Sequence, residues 1–252
     1  GGKGTAEEKF AAFEKAGIIR PNIPVIFAGQ QELPQAIQDK VTETQASLYT
    51  LNRDYFYQPN NDGQTWSFAS SGTTLTLPVG QLALDNISTA VATVLISGLE
   101  ISQTSIATGI QQARLQGRFE VRQIQDKTVI FDAGHNAHGV EFLLKQLQKF
   151  LKYHTQYTEV IAVFSMLADK DIASVTDLLK TTVNDWFIAT LDVPRAAPMQ
   201  QWQDALQGQQ VHTFDHIQQA FETAVQQCHH HQLILVCGSF HTLEAVWEYL
   251  EQ

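Results

Sequence analysis

The sequence predicts an α/β fold in which a Rossmann-like, mainly parallel sheet domain fills the C-terminal half. Two observations carry this. From residue 117 onward, short apolar runs of strand type alternate with amphipathic runs of helical period, and the connections between them are short. The run Thr128-Val129-Ile130-Phe131 then ends on Asp132, His135 and Asn136 before passing directly into a helical pattern, so polar groups gather where a strand stops. Short strand-to-helix connections imply right-handed crossovers, a parallel sheet and helices on both faces.

The elements follow in order. A helix is expected through about 7–15, a strand at 25–27, a helix near 33–44 and a strand at 48–51, together resembling the end of an α/β domain. Segments 55–57, 65–69 and 73–77, separated by Asn-Asn-Asp-Gly and Ser-Ser-Gly, read as short antiparallel strands because such turns supply the φ > 0 that hairpins need. Helices near 85–98 and 103–114 precede a boundary at Gly117, which divides the chain into domains 1–116 and 117–252.

Beyond it the pattern runs strand 128–132, helix 139–151, strand 159–164, helix 171–182, strand 186–190 and helix 198–207. A strand at 211–214, a helix from about 216 to 229, a strand at 233–237 and a helix at 241–250 complete it. Val140, Leu143, Leu144, Leu147, Phe150 and Leu151 recur at spacings of three and four, the stripe a helix presses onto a sheet.

Ligands of open α/β sheets bind beyond the carboxyl ends of strands. Asp132 and His135 stand at such an end. From spacing alone, a ligand site and a plain strand end, with Asp132 and Asn136 as terminators and His135 as a turn residue, both remain open.

Composition narrows the function classes. With 252 residues and 44% hydrophobic content, the chain can bury a substantial core. Its net charge of -10 argues against a general nucleic-acid or anionic-membrane binder, which needs basic patches. Cys228 and Cys237 are too few for a disulfide framework and point to a reducing cytoplasm. No basic start with an apolar run and no apolar stretch of about 20 residues appears, so neither a leader nor a membrane span is expected.

Several short motifs in one order make the chain similar to a known family. Gly117-Arg118-Phe119-Glu120, an apolar strand and then Asp132-Ala133-Gly134-His135-Asn136 resemble the start of the C-terminal domain of the folylpolyglutamate synthases and bifunctional dihydrofolate synthases of the Mur ligase superfamily. Glu14-Lys15-Ala16-Gly17-Ile18, Leu84-Asp85-Asn86, Met166-Leu167-Ala168-Asp169-Lys170-Asp171 and Val236-Cys237-Gly238-Ser239-Phe240-His241 resemble further family segments. The matches run from about Phe13 to the end. Gly2-Lys3-Gly4-Thr5 resembles the tail of the family's P-loop, yet no strand precedes it. The resemblance therefore implies a chain lacking most of the N-terminal ATPase domain, with 1–116 the C-terminal part of a P-loop-type α/β central domain carrying a small antiparallel element.

The resemblance implies an ATP-dependent amide ligase of folate biosynthesis. A folate-type carboxylate is activated as an acyl phosphate, and the amino group of L-glutamate attacks it. ATP and Mg2+ are the implied cofactors; glutamate and dihydropteroate or a folate polyglutamate are the substrates. No nucleic acid or membrane partner is expected, and the expected state is a monomer.

His135, Asp132 and Lys15 are implied at the reaction centre, Lys15 as a carbamate supporting Mg2+. Asn86, Arg118 and Asp132 are implied at ATP, and His135 and Ser239 at glutamate. Residue chemistry also allows plainer roles: Lys15 as a solvated helix-end lysine, Asn86 as a helix N-cap, Arg118 paired with a surface carboxylate, and Ser239 as the cap of the final helix. Lys170 and Asp171 suit either a site or a turn and cap.

Cys228-His229-His230-His231 lacks a second ligand pair at metal-site spacing, and Ser239 with His241 lacks a nucleophile elbow. The competing readings are a noncatalytic nucleotide- or glutamate-binding module and another Mur-type amino-acid ligase.

Overall fold

A computed structural model describes residues 12–28 and 33–251. Gly2-Lys3-Gly4-Thr5 and most of the helix expected at 7–15 lie outside the described residues; its described part, 12–16, is helical. The chain divides into two compact units at Arg114 and Leu115, two residues before the boundary expected from sequence.

The first unit contains a parallel pair, β1 (Val25–Phe27) and β2 (Leu48–Thr50), with α1 (Gln35–Thr44) between them in sequence. An antiparallel meander of β3 (Tyr55–Pro59), β4 (Thr65–Ser70) and β5 (Thr73–Pro78) follows. Its second turn works because Ser71 and Gly72 both adopt positive φ, 45° and 84°, the combination that matches strand twist. In the first, Asp62 accepts hydrogen bonds from the backbone N–H groups of Gln64 and Thr65. Tyr55, Trp66, Phe68 and Leu77 point inward to a core closed by Ile87, Val91 and Ala92 of α2 (Leu84–Ile96) and Ile106 and Ile110 of α3 (Gln103–Gln112).

The second unit is a six-stranded sheet of order β10-β9-β8-β11-β7-β6. It comprises β6 (Glu120–Ile124), β7 (Lys127–Asp132), β8 (Glu159–Phe164), β9 (Asp185–Ala189), β10 (Val211–Phe214) and β11 (Gln232–Cys237). The helices are α4 (Ala137–Tyr153), α5 (Ile172–Leu179), α6 (Met199–Ala205), α7 (Ile217–Gln227) and α8 (Phe240–Leu250). Strands β7 to β11 are parallel, and all but the edge strand β10 are nearly continuously apolar, as strands covered on both faces must be.

Successive residues serve opposite faces. Ile130, Ala162 and Leu235 meet Val140, Leu143 and Leu147 of α4 and Val175 and Leu179 of α5. Val129, Phe131 and Val163 meet Ile217, Phe221 and Val225 of α7 and Leu243 and Val246 of α8. Each large side chain so buried stabilises the fold by about 1.5–3 kcal/mol.

One strand departs from the expected pattern. β6 pairs antiparallel with β7, making an edge hairpin through Gln125 and Asp126 at φ 48° and 63°. That is the geometry of a two-residue hairpin turn built without the Asn-Gly or Asp-Gly pair that normally marks one.

The chain order places the site. Strand β11 lies between β7 and β8, hydrogen-bonded to both, so consecutive strands β7 and β8 are split by a strand that arrives last. In sheets of this kind ligands bind beyond the carboxyl ends of strands where the chain order is broken in this way.

Candidate active site

Sheet register sets Cys237 beside both Asp132 and Phe164, so the next residues of β7, β11 and β8, namely Ala133, Gly238 and Ser165, form the rim. Asp132 is 3% exposed and spends both oxygens on backbone. Its Oδ2 accepts from Phe119 N–H at 2.9 Å and its Oδ1 from Gly134 N–H at 2.8 Å. Ala133 N–H donates to Gly117 O at 2.8 Å, tying the same two segments together.

Phe119 has φ 45°, unfavourable for a bulky residue, and the bond to a buried carboxylate offsets that strain. Burial pushes the Asp132 carboxyl above the usual carboxylate range, against the opposing pull of the Phe119 and Gly134 N–H groups, Arg118 and His135. Gly134 sits against the Asp132 carboxylate. A Cβ there would lie 2.9 Å from Asp132 Oδ1, so glycine leaves the carboxylate in place.

Arg118 is half-buried, its guanidinium carbon 5.1 Å from the centroid of the Phe240 ring. This replaces the surface ion pair that residue chemistry allowed: among the described residues Arg118 makes no salt bridge within 4.0 Å. Its N–H groups are therefore available for oxyanions, which a planar fork binds well.

His135 Nδ1 lies 2.9 Å from Ala133 O. A carbonyl can only accept, so Nδ1 donates in this contact and Nε2 is the ring nitrogen left for a ligand, an acceptor when the imidazole is neutral. Asn136 caps α4, its Oδ1 accepting from Gly139 N–H at 2.8 Å. Ala137 is the first helical residue.

Ser239 caps α8, accepting from Thr242 N–H at 3.1 Å, and is 6% exposed. Its Oγ is 2.7 Å from Thr242 Oγ1, which donates to Ser165 O at 2.7 Å; Ser165 Oγ in turn donates to Ala189 O at 2.7 Å. This buried chain joins the carboxyl ends of β11, β8 and β9. Sequence reasoning missed Thr242 and Ser165. Their signals were present: a polar residue ending the Ala162-Val163-Phe164 run, as Asp132 ends its own strand, and a hydroxyl three residues after a cap.

Lys15 and Asn86 belong to the first unit and are exposed. Asn86 is not a helix cap. Helix α2 starts two residues earlier and is capped at Ala83, leaving Asn86 in the first turn. Tyr57 Oη donates to Asp85 Oδ1 beside it, and burial followed by the bond to Asp85 pushes the Tyr57 phenol up to about 12.

Lys15 stands in the last helical turn before Gly17, without the shelter a carbamate requires. Among the described residues no group of three or more His, Cys, Asp or Glu could hold a metal ion. The described residues alone do not fit a Mg2+ site. No helix of the described residues is long and apolar enough to cross a membrane.

The remaining candidates resolve plainly. Asp171 caps α5 by accepting from Ser174 N–H at 3.0 Å, and Lys170 pairs with Asp169 at 2.9 Å. His241 faces Glu244 at 3.5 Å, so Ser239 and His241 form no hydrolytic pair. His231 faces Glu159 at 3.6 Å, and Cys228 is buried.

Comparison with known proteins gives this site its context. Residues 117–240 match the Mur ligase, glutamate ligase domain. The dihydrofolate synthase/folylpolyglutamate synthase of Escherichia coli (strain K12) is 36% identical over 239 residues, covering 94% of this chain and 54% of the relative. Among solved structures, E. coli FolC in complex with DHPP and ADP is 35% identical with TM-score 0.80, over 96% of this chain and 56% of that one. The bifunctional folylpolyglutamate synthase/dihydrofolate synthase with Mn, AMPPNP and L-glutamate bound is 31% identical with TM-score 0.83, over 100% of this chain and 59% of that one; a ligand-free form from Yersinia pestis matches with TM-score 0.82. The chain thus spans a little over half the length of these relatives. Its ordered motifs, its sheet and these matches agree: the chain belongs to the dihydrofolate synthase/folylpolyglutamate synthase family of Mur ligases, with a Mur ligase glutamate ligase domain at residues 117–240.

Proposed function

We propose that this chain supplies the glutamate side of an ATP-dependent amide ligase that adds L-glutamate to dihydropteroate or to a folate polyglutamate. The observation that carries the reading is the anchoring of His135: Nδ1 is held 2.9 Å from Ala133 O, which leaves Nε2 to meet a ligand at the carboxyl end of β7.

In this reading ATP phosphorylates the acceptor carboxylate, releasing ADP. The glutamate nitrogen attacks the acyl carbon, the C–O bond to phosphate breaks, and the nitrogen loses a proton to His135 Nε2. Ser239 holds glutamate. Arg118, which makes no salt bridge within 4.0 Å among the described residues and is braced on Phe240, meets phosphate oxygens. Asp132 serves the nucleotide side of the centre by locking the Phe119 and Gly134 amides, and so the segments that carry Arg118 and His135.

Asn86 contacts the nucleotide from the exposed first turn of α2. Lys15 would support Mg2+ as a carbamate only in a form of the protein that shelters its amine, which is exposed among the described residues. Bound ATP would supply the phosphate that leaves, and a divalent metal, when bound, would neutralise its charge. A relative solved with Mn, AMPPNP and L-glutamate bound supports the substrate assignment, and one solved with DHPP and ADP supports the acceptor.

The test is ADP release by the full-length protein. It is expected only when L-glutamate and a folate-type acceptor are both present. ADP release that needs a UDP-muramoyl acceptor instead, or that ignores glutamate, overturns the reading.

A further inference from the structure

The hydroxyl chain behind Ser239 fixes which way its proton points. Thr242 has a single hydroxyl proton, and at 2.7 Å that proton goes to Ser165 O, because a carbonyl can only accept. In the 2.7 Å contact between Ser239 Oγ and Thr242 Oγ1, the donor must therefore be Ser239. Ser239 Oγ also accepts the Thr242 N–H. A serine oxygen has one proton and two lone pairs; the proton and one lone pair are spent, and one lone pair remains.

The Thr242 side chain is fully buried, and Ser165 donates its own proton to Ala189 O at 2.7 Å, so no water competes for these positions. Ser165 is also held through β8 in register with β11. Rotating Ser239 toward a ligand would cost the bond to Thr242 and leave a buried Oγ1 acceptor without its donor.

We propose that Thr242, anchored on Ser165, is a positioning residue that sets Ser239 as a hydrogen-bond acceptor, so that Ser239 takes the amino end of the amino-acid substrate rather than a carboxylate. This rests on the reading above that Ser239 lies at glutamate. An acceptor suits an ammonium with three N–H groups, and it opposes a carboxylate, which can only accept.

The experiment compares L-glutamate with glutarate, which has both carboxylates and no amine, in the full-length protein and in Ser239→Ala, Thr242→Val and Thr242→Ser. L-Glutamate is measured by its KM and glutarate by competitive inhibition. Ser239→Ala and Thr242→Val are each expected to raise the glutamate KM about tenfold, the worth of one hydrogen bond to a charged group. The glutarate inhibition constant and the KM for ATP stay within about twofold. Thr242→Ser restores the hydroxyl and the glutamate KM.

Equal weakening of glutamate and glutarate overturns the proposal, since Ser239 would then donate to a carboxylate. A raised glutamate KM in Ser239→Ala with none in a folded Thr242→Val overturns the role of Thr242 while leaving Ser239 at glutamate. An unchanged glutamate KM in Ser239→Ala removes Ser239 from the glutamate site altogether. The Ser239→Ala arm decides the polarity even where Thr242→Val does not fold.

Discussion

Gly238→Ala is expected to lower the stability of the second unit by about 3–5 kcal/mol, the sum of overpacking and backbone strain. Gly238 has φ 107°, a region that side chains rarely adopt. A Cβ at this position would lie 2.4 Å from Ser165 O and 2.6 Å from the Phe164 ring. Neither neighbour can yield, because Phe164 is fully buried between Trp186 and Trp202 and Ser165 O holds Thr242. The glycine lets β11 turn sharply beside β8 and deliver Ser239 into the cap of α8. Thermal unfolding checks this. A fall in melting temperature of about 10–20 °C is expected for a domain of this size, and a shift under about 2 °C would show that the rim relaxes freely.

His135→Ala is expected to reduce glutamate-dependent turnover by about 10²–10⁴-fold, the usual contribution of a positioned proton acceptor. The imidazole is half-buried, and its hydrogen bond goes to backbone two residues back, so its loss leaves the core intact. Unfolding is expected to shift by less than about 0.5 kcal/mol. His135→Asn sharpens the result: it retains an N–H for Ala133 O but has no titratable lone pair, and it is expected to remain as slow as the alanine variant. Recovery of the rate by asparagine would make His135 an orienting group rather than the proton acceptor.

The second unit was legible almost element by element, because strands buried on both faces write themselves as unbroken apolar runs and the helices between them carry stripes at spacings of three and four. β8, expected at 159–164, spans Glu159–Phe164. What escaped was β6. Its edge position gives it alternating half-buried residues, and its turn is made by Gln125 and Asp126 rather than by residues that advertise positive φ.

The site was legible where strand ends carry charge or amide. Asp132, His135, Asn136 and Ser239 all lie at the carboxyl end of the sheet. Thr242 and Ser165 escaped because their work is to hold hydrogen bonds across β11, β8 and β9, and strand order is a property of the tertiary fold that local sequence does not carry. Asn86 was placed at a helix start, yet α2 begins at Leu84 with no side-chain cap, since Leu84 packs against the core of its unit and draws the helix back to it.

The central claim is that L-glutamate is held at the carboxyl ends of β7 and β11. Amide chemical-shift mapping of the full-length protein during titration with L-glutamate, in the presence of nucleotide, tests it directly. The account predicts the largest shifts at Gly134, His135 and Asn136 and at Ser239 and Phe240. Shifts confined to the first unit, or to the Thr190–Val193 loop after β9, would contradict it.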